Sequence, residues 1–212
     1  KYEKNSKRIL TMSEQLNKGN KKNNFSVLKG PCLAGELARK IKSSVVIANK
    51  NTKIAKSIGS LISTSYYNIE YSKDVRGVEI CSAIKNIYST IIGAGEGLNT
   101  SSSIFRKSIS EMVYLTKFFK GKEETVYGLA GIGDLYVSSL GGRNSRMGKY
   151  LGKGYTFKNA KKKFMPNDTI EGAQLAFEIA PYILKKINNK KIPLMIDFLK
   201  AISKNKKLNI RW

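Results

Sequence analysis

A lysine occupies an otherwise apolar helical stripe in the middle of the chain. With Lys85 on this stripe are Val78, Cys81, Tyr88 and Ile92, spaced three or four residues apart as on one helix face. Lysine avoids such positions unless its ammonium group is paired or functional. Burial would lower the pKa of the amine, which suits a general acid or base. The alternative is a lysine at the helix edge whose ammonium group reaches solvent.

Two glycine-rich segments place polar side chains at the starts of predicted helices. In residues 128–135 (GLAGIGDL), three glycines precede Asp134, which either caps a helix or takes part in chemistry. In residues 141–146 (GGRNSR), a glycine turn presents two guanidinium groups before a helix. Arginine forks and the amides of a helix N-terminus together suit a phosphate ester. Asn86, next to Lys85, adds an amide donor and acceptor.

The composition excludes several other kinds of site. The 212 residues contain no histidine, which rules out Ser-His-Asp triads, Cys-His dyads and His-bearing zinc or haem sites. Cys32 and Cys81 are the only cysteines and form no CxxC pair or disulfide framework, so we expect a cytoplasmic protein without a metal site. No apolar run reaches the roughly 18 residues that a membrane span requires.

The net charge of +24 raises the question of nucleic-acid binding. The excess, however, comes from 32 lysines that are spread along the chain, against only 7 arginines. Nucleic-acid readers favour arginine for its planar bidentate fork. The charge therefore indicates codon bias more than a dedicated interface, and we expect no specific nucleic-acid partner.

The elements that must hold these residues change character near residue 72. Before it, strand patterns at 25–29, 44–48 and 67–71 alternate with helices at 33–41 and from Asn51 or Thr52 onward, which is typical of a doubly wound parallel sheet. A short helix marked by Ile9, Met12 and Leu16 comes first. After residue 72 the pattern predicts only helices, at 78–92, 102–119, 134–139, 145–151, 157–164, 171–187 (kinked or broken at Pro181) and 193–203.

One motif of dinucleotide-binding proteins is missing. A GxGxxG segment after a strand would mark a pyrophosphate site. Residues 93–97 have the wrong glycine spacing and follow a helix, and in residues 128–133 the glycine order is reversed. Neither segment qualifies.

Five segments in order along the chain resemble the NAD(P)-dependent glycerol-3-phosphate dehydrogenase family. They are 29–34 (KGPCLA), 77–86 (GVEICSAIKN), 128–135 (GLAGIGDL), 142–148 (GRNSRMG) and 170–172 (IEG). The resemblance implies an α/β remnant of a Rossmann-type sheet at 1–72, which is an incomplete dinucleotide-binding domain. It also implies an all-helical substrate-binding and catalytic domain at 73–212, similar to the 6-phosphogluconate dehydrogenase C-terminal domain-like fold.

The resemblance also implies a reaction, namely interconversion of dihydroxyacetone phosphate and sn-glycerol 3-phosphate with NAD or NADP, for glycerophospholipid synthesis. Lys85 would be the acid/base, and Asp134 would hold it and the substrate hydroxyls. The resemblance assigns further residues to the substrate (Gly30, Cys32, Asn86, Ser138, Arg143, Asn144 and, more loosely, Lys1) and to the cofactor (Ala34, Arg143 and Glu171). A homodimer is a further expectation.

The sequence also departs from the family pattern. Cys32 stands where the family has serine, and Ser101 where a basic residue is common. The half of the cofactor domain that carries GxGxxG is absent, so we expect a fragment that is inactive alone and whose strand at 25–29 is an unpaired apolar edge.

Two other functions remain open at this point. The chain could belong to another hydroxyacid dehydrogenase with the same helical domain, acting on a substrate without phosphate. It could also be a non-catalytic basic protein that binds nucleic acid, in which case binding would depend steeply on salt.

Overall fold

A computed structural model describes residues 2–3, 8–18 and 25–211. Lys1 lies outside the described residues. The chain divides into two compact units. The described residues of 1–9, 83–115 and 136–212 form the helical unit, and those of 10–82 and 116–135 form the sheet unit. The predicted boundary between residues 72 and 73 stays a prediction.

The elements follow one another in this order. The strands are β1 (Tyr2–Glu3), β2 (Arg8–Ile9), β3 (Val27–Lys29), β4 (Ser43–Ala48) and β5 (Tyr67–Ser72). The helices are α1 (Met12–Asn17), α2 (Ala34–Ala38), α3 (Thr52–Ile62), α4 (Val75–Gly93), α5 (Leu98–Phe118), α6 (Glu123–Tyr127), α7 (Asp134–Ser139), α8 (Arg143–Gly152), α9 (Phe157–Phe164), α10 (Glu171–Lys186) and α11 (Pro193–Ser203). A π-helical turn, Leu129–Gly133, joins α6 to α7.

The sheet of the sheet unit has the order β3-β4-β5. Successive residues of β4 face opposite sides, so Val45 and Ile47 pack with Ala55 of α3, while Val46 and Ala48 pack with Val78 and Ala130 on the other side. Asn51 caps α3, since its side chain accepts a hydrogen bond from the Lys53 amide at 3.0 Å.

The prediction of an all-parallel sheet is wrong for β3. β4 and β5 pair in parallel, but β3 pairs with β4 in the antiparallel sense. A parallel crossover needs a helix long enough to return along the sheet, and the five residues of α2 rise only about 7–8 Å. As expected, β3 lies at an edge of the sheet, with Leu28 exposed.

The structure also bears on three other local predictions. Ile9 lies in β2 and not in the first helix, because Thr11 and Glu14 form a capping box that starts α1 at Met12. Asp134 does not cap α7, because its backbone is already helical and continues the π-helical turn. Pro181 lies inside α10 without breaking it.

The helical unit packs around the second half of α4. Tyr88, Ile91, Met112 and Phe198, from α4, α5 and α11, are among its fully buried side chains. The β1–β2 pair lies against α10, where the Tyr2 amide donates to Glu178 Oε1 at 2.9 Å. Among the described residues, no helix is both long and apolar enough to cross a membrane.

Candidate active site

One cavity of the helical unit gathers polar residues from four helices. Its volume is about 430 Å³, and it is lined by Lys85 and Asn86 of α4, Ser138 of α7, Gly142 before α8, Arg143 and Asn144 of α8, and Glu171 of α10. Six of these seven residues were singled out from the sequence. They stand as far as 86 positions apart in the chain, so the fold brings them together.

Lys85 is half-buried at the wall of this cavity. Its ammonium group donates a hydrogen bond to Ser138 Oγ at 2.7 Å. The backbone of Ser138 is itself fixed to α4, because the Ser89 hydroxyl donates to the Ser138 carbonyl at 2.8 Å. The predicted apolar stripe beside Lys85 is buried, since Tyr88 and Ile92 are nearly inaccessible to solvent. Lys85 is therefore the polar member of a buried helix face at the point where that face meets the cavity.

The Asn144 side chain joins three helices at the cavity floor. It is nearly buried, and its Nδ2 donates to Asn86 Oδ1 at 3.2 Å and to Glu171 Oε2 at 3.3 Å. Its Oδ1 accepts a hydrogen bond from the Gly172 amide at 2.9 Å. One amide group thus fixes the positions of α4 and α10 relative to α8.

The Arg143 guanidinium and the N-terminus of α8 lie together at the cavity rim. Arg143 is the first residue of α8, and its guanidinium pairs with the carboxylate of Glu171. The two side chains are 53% and 38% exposed, so the pair is open to solvent and an incoming anion can reach the guanidinium. The first-turn amides of a helix have no intrahelical partner and carry partial positive charge. Together these groups match the charge and geometry of a phosphate ester.

Glycines allow the helices to approach closely enough to form this site. A Cβ built on Gly148 of α8 would lie 2.0 Å from the Thr90 carbonyl oxygen of α4. One built on Gly172 of α10 would lie 2.5 Å from the Asn86 carbonyl oxygen. Real Cβ atoms essentially never come closer than 3.0 Å to another heavy atom, so the backbones of these helices touch where a side chain would hold them apart. This contact places Asn86, Asn144 and Glu171 within hydrogen-bond reach.

Four other predicted site residues belong to the sheet unit. Gly30 follows β3 with φ of +129°, a conformation that L side chains rarely adopt. Cys32 and Ala34 are exposed at the start of the α2 segment. Partial burial raises the pKa of Tyr67, and the neighbouring Cys32 raises it further. Asp134 is the first residue of α7. Their roles stay predictions, and Lys1 lies outside the described residues.

A family model matches most of the chain. Residues 74–210 match the model described as NAD-dependent glycerol-3-phosphate dehydrogenase C-terminus. The chain belongs to this family. The five segments that resemble it in sequence thus identified the family correctly.

Relatives within the glycerol-3-phosphate dehydrogenases cover most of this chain but only part of their own length. An NADP(+)-dependent glycerol-3-phosphate dehydrogenase of Archaeoglobus fulgidus is 33% identical over an alignment of 172 residues, which covers 76% of this chain and 51% of that protein. A glycerol-3-phosphate dehydrogenase [NAD(P)+] of Clostridium acetobutylicum is 30% identical over 190 residues, 87% of this chain and 56% of that protein. The chain therefore spans about half the length of the curated relatives it matches.

Solved structures of the same enzyme name have the same fold. The glycerol-3-phosphate dehydrogenase of Coxiella burnetii superposes with a TM-score of 0.82 at 27% identity, over 92% of this chain and 61% of that one. The Plasmodium falciparum enzyme superposes with a TM-score of 0.84 over 97% of this chain and 59% of that one, and at 23% identity it speaks for the fold alone. The predicted fold class, a sheet remnant followed by a helical domain, is confirmed.

Several residues that hold the candidate site in shape received no role from the sequence. Ser89 acts through its long-range contact with Ser138, and no local pattern marks it. Gly172 stands in the 170–172 segment, but its hydrogen bond to Asn144 is long-range and gave it no role in the sequence. Gly142 lines the cavity, and the glycine turn was the one signal that could have identified it.

Proposed function

We propose that this chain provides the substrate-binding and proton-transfer part of an NAD(P)-dependent sn-glycerol-3-phosphate dehydrogenase. The observation that carries the proposal is the shared cavity, which combines an amine, two amides and a guanidinium within one helical unit. The reaction interconverts dihydroxyacetone phosphate and sn-glycerol 3-phosphate, and so supplies the backbone of glycerophospholipids.

Arg143 and the first-turn amides of α8 bind the phosphate of the substrate. A guanidinium offers two parallel N–H groups to phosphate oxygens, and the helix N-terminus favours an anion. Asn86 donates to a glycerol hydroxyl through its Nδ2. Asn144, whose Nδ2 already donates to Asn86 and Glu171, accepts from a hydroxyl through its Oδ1. Because both amides already belong to a hydrogen-bonded network, they are held in place before the substrate arrives.

Lys85 carries the proton. In the reducing direction its ammonium group gives a proton to the oxygen on C2 as the carbonyl becomes a secondary alcohol. In the oxidising direction the neutral amine removes the same proton from the C2 hydroxyl. The hydrogen bond to Ser138 Oγ fixes the orientation of the amine between turnovers. Asp134 is the second residue that we propose for this chemistry.

NAD or NADP, when bound, supplies or accepts the hydride. Ala34, Arg143 and Glu171 are the residues of this chain that we propose to hold it. The guanidinium and carboxylate at the cavity rim fit a phosphate and a carboxamide, respectively. We extend the proposal to a homodimer, which light scattering of the purified protein tests. We also propose that the protein is cytoplasmic.

The decisive experiment measures oxidation of NADH and NADPH with dihydroxyacetone phosphate, using the full-length gene product that contains this chain. Loss of a positioned acid/base removes about 10²–10⁴-fold of rate, so Lys85→Met should lower kcat by that factor while the substrate still binds. Lys186→Met, a change of the same type on the exposed end of α10, is the matched control and should leave turnover unchanged. Undiminished turnover in Lys85→Met contradicts the mechanism.

Two further arms separate the remaining alternatives. Dihydroxyacetone without phosphate should be a poor substrate, and equal rates with both compounds would favour another hydroxyacid dehydrogenase. A nucleic-acid-binding protein would instead bind DNA or RNA at physiological salt with a steep salt dependence. The 212-residue chain alone should show no turnover with either nucleotide.

A further inference from the structure

A buried carboxylate outside the cavity links three helices of the helical unit. Glu111 of α5 is only 4% exposed. Its Oε2 accepts a hydrogen bond from the Tyr88 hydroxyl of α4 at 2.9 Å and from the Met195 amide of α11 at 3.0 Å. Its Oε1 accepts from the Leu194 amide of α11 at 2.8 Å. All three donors point at one side chain, so α4 and α11 are both fixed to α5 at this position.

Tyr88 connects this carboxylate to the helix that carries Lys85. The two residues are three positions apart on α4 and therefore lie on the same helix face. The Tyr88 ring is fully buried, and its hydroxyl is held by Glu111. A rotation of α4 about its own axis would move the Lys85 ammonium group and would at the same time break the bond between Tyr88 and Glu111. The bond thus fixes the rotational setting of α4 one turn away from the candidate acid/base.

Burying an ionised carboxylate costs free energy, and a purely structural contact between helices does not require one. Burial raises the pKa of Glu111 to about 7, although the Met195 and Leu194 amides and the Tyr88 hydroxyl lower it and Asp197 of α11 raises it further. A well-packed apolar side chain at this position would avoid the desolvation penalty. The ionised form, however, accepts all three hydrogen bonds, and the start of α11 favours a negative charge. When the Glu111 carboxyl gains a proton, one of its oxygens becomes a donor, and its hydrogen bonds to Tyr88 and to α11 are weakened.

We propose that Glu111 and Tyr88 are positioning residues for Lys85, holding α4 at the rotation that aims the amine at the C2 oxygen. The inference rests on the function proposed above. It makes turnover, and not substrate affinity, depend on two residues that do not touch the substrate. Misplacement of a catalytic group by about 1 Å can cost about 10²-fold in rate.

The test compares Tyr88→Phe and Glu111→Gln in the full-length protein. Tyr88→Phe removes only the hydroxyl, and we expect kcat to fall by about tenfold, with KM for dihydroxyacetone phosphate unchanged within twofold. In Glu111→Gln the amide cannot ionise. The decline of kcat below pH 7 that the wild-type protein should show is therefore expected to disappear, at a lower plateau value.

A matched control separates positioning from loss of stability. Ile104→Val removes one buried methylene from the same helix, α5, without touching the hydrogen bonds of Glu111. It should lower the melting temperature and leave kcat and its pH profile unchanged below that temperature. Circular dichroism verifies that all variants are folded under the assay conditions.

Three outcomes overturn the inference. These are an unchanged kcat in Tyr88→Phe, an equal loss of kcat in Ile104→Val, and a rise in KM in place of a fall in kcat. If Lys85→Met abolishes turnover while Tyr88→Phe does not reduce it, the positioning role fails and the proposed function stands. If Lys85→Met retains turnover, both fail, because there is then no acid/base to position.

Discussion

The contact between α4 and α8 predicts that a single methyl group at Gly148 will destabilise the protein. A Cβ at this position would lie 2.0 Å from the Thr90 carbonyl oxygen and 3.0 Å from the Ala94 amide nitrogen. To reach even 3.0 Å, the Thr90 carbonyl and the new methyl must separate by about 1 Å. The carbonyl is backbone and the methyl is attached to backbone, so two buried helices would have to move apart. Overpacking of this kind costs about 1–3 kcal/mol, and the rigid neighbours place Gly148→Ala near the upper value.

The helical propensity of alanine offsets part of this cost. Replacing glycine in a helix interior gains about 1 kcal/mol, so the net loss for Gly148→Ala should be about 2 kcal/mol. For a chain of this size that corresponds to a fall in melting temperature of about 4–8 °C, measured by circular dichroism at 222 nm.

The same substitution at Gly35 provides the control. Gly35 lies within α2, and nothing stands within 4 Å of its added Cβ. Gly35→Ala should therefore keep the propensity gain and raise stability by up to about 1 kcal/mol. If Gly148→Ala is as stable as the wild-type protein or more stable, the two helices are not in backbone contact, and the account of how the cavity is assembled is wrong.

The remaining predictions concern protonation and the cavity. Since the pKa of Glu111 is raised from 4.5 to about 7 in the folded protein, its contribution to stability is full below pH 4.5 and lost as pH rises to 7. Urea unfolding should show that Glu111→Gln lacks this component, which amounts to about 3 kcal/mol, and an identical pH dependence in both proteins would contradict the burial argument. Arg143→Ala should raise KM for dihydroxyacetone phosphate about 10-fold or more with little change in kcat, and a normal KM in steady-state kinetics would place the phosphate elsewhere. Asn144→Ala leaves the Gly172 amide and Asn86 without a partner, so it should lower both the melting temperature and the catalytic efficiency, whereas loss of activity alone would mean that Asn144 only binds substrate.

Local sequence signals predicted those elements whose boundaries depend on nearby residues. The helices at 157–164 and 193–203 have the predicted bounds, because Pro193 fixes the first turn of one and a glycine turn precedes the other. The apolar spacing places the start of α1 too early, at Ile9, whereas the Thr11 capping box, also a local signal, starts it at Met12. The antiparallel pairing of β3 depends on the length of α2, which the sequence pattern overestimated as 33–41.

In the candidate site, too, local signals mark some features while others depend on distant residues. Lys85, Arg143 and Asn144 were identified because an unusual residue type or a glycine turn marks them locally. Their supporting contacts were not, since the Asn144–Asn86 bond spans 58 positions and the bond between Glu111 and the Leu194 amide spans 83. A polar residue on a helix reads the same whether it faces solvent or a buried partner on a distant helix, so only the tertiary structure distinguishes the two.

A chain with 32 lysines and no histidine also shows why residue type alone does not locate an acid/base. Lys161 donates to the Met165 carbonyl at 2.7 Å and so satisfies the end of α9, and Lys117 pairs with Glu123 at 2.9 Å on the surface. Both amines are bound by groups of the local structure. Lys85 instead donates to a neutral hydroxyl at the wall of a cavity, beside two amides and on a helix face that is otherwise buried. These surroundings, and not its residue type, are the reason for proposing Lys85 as the acid/base.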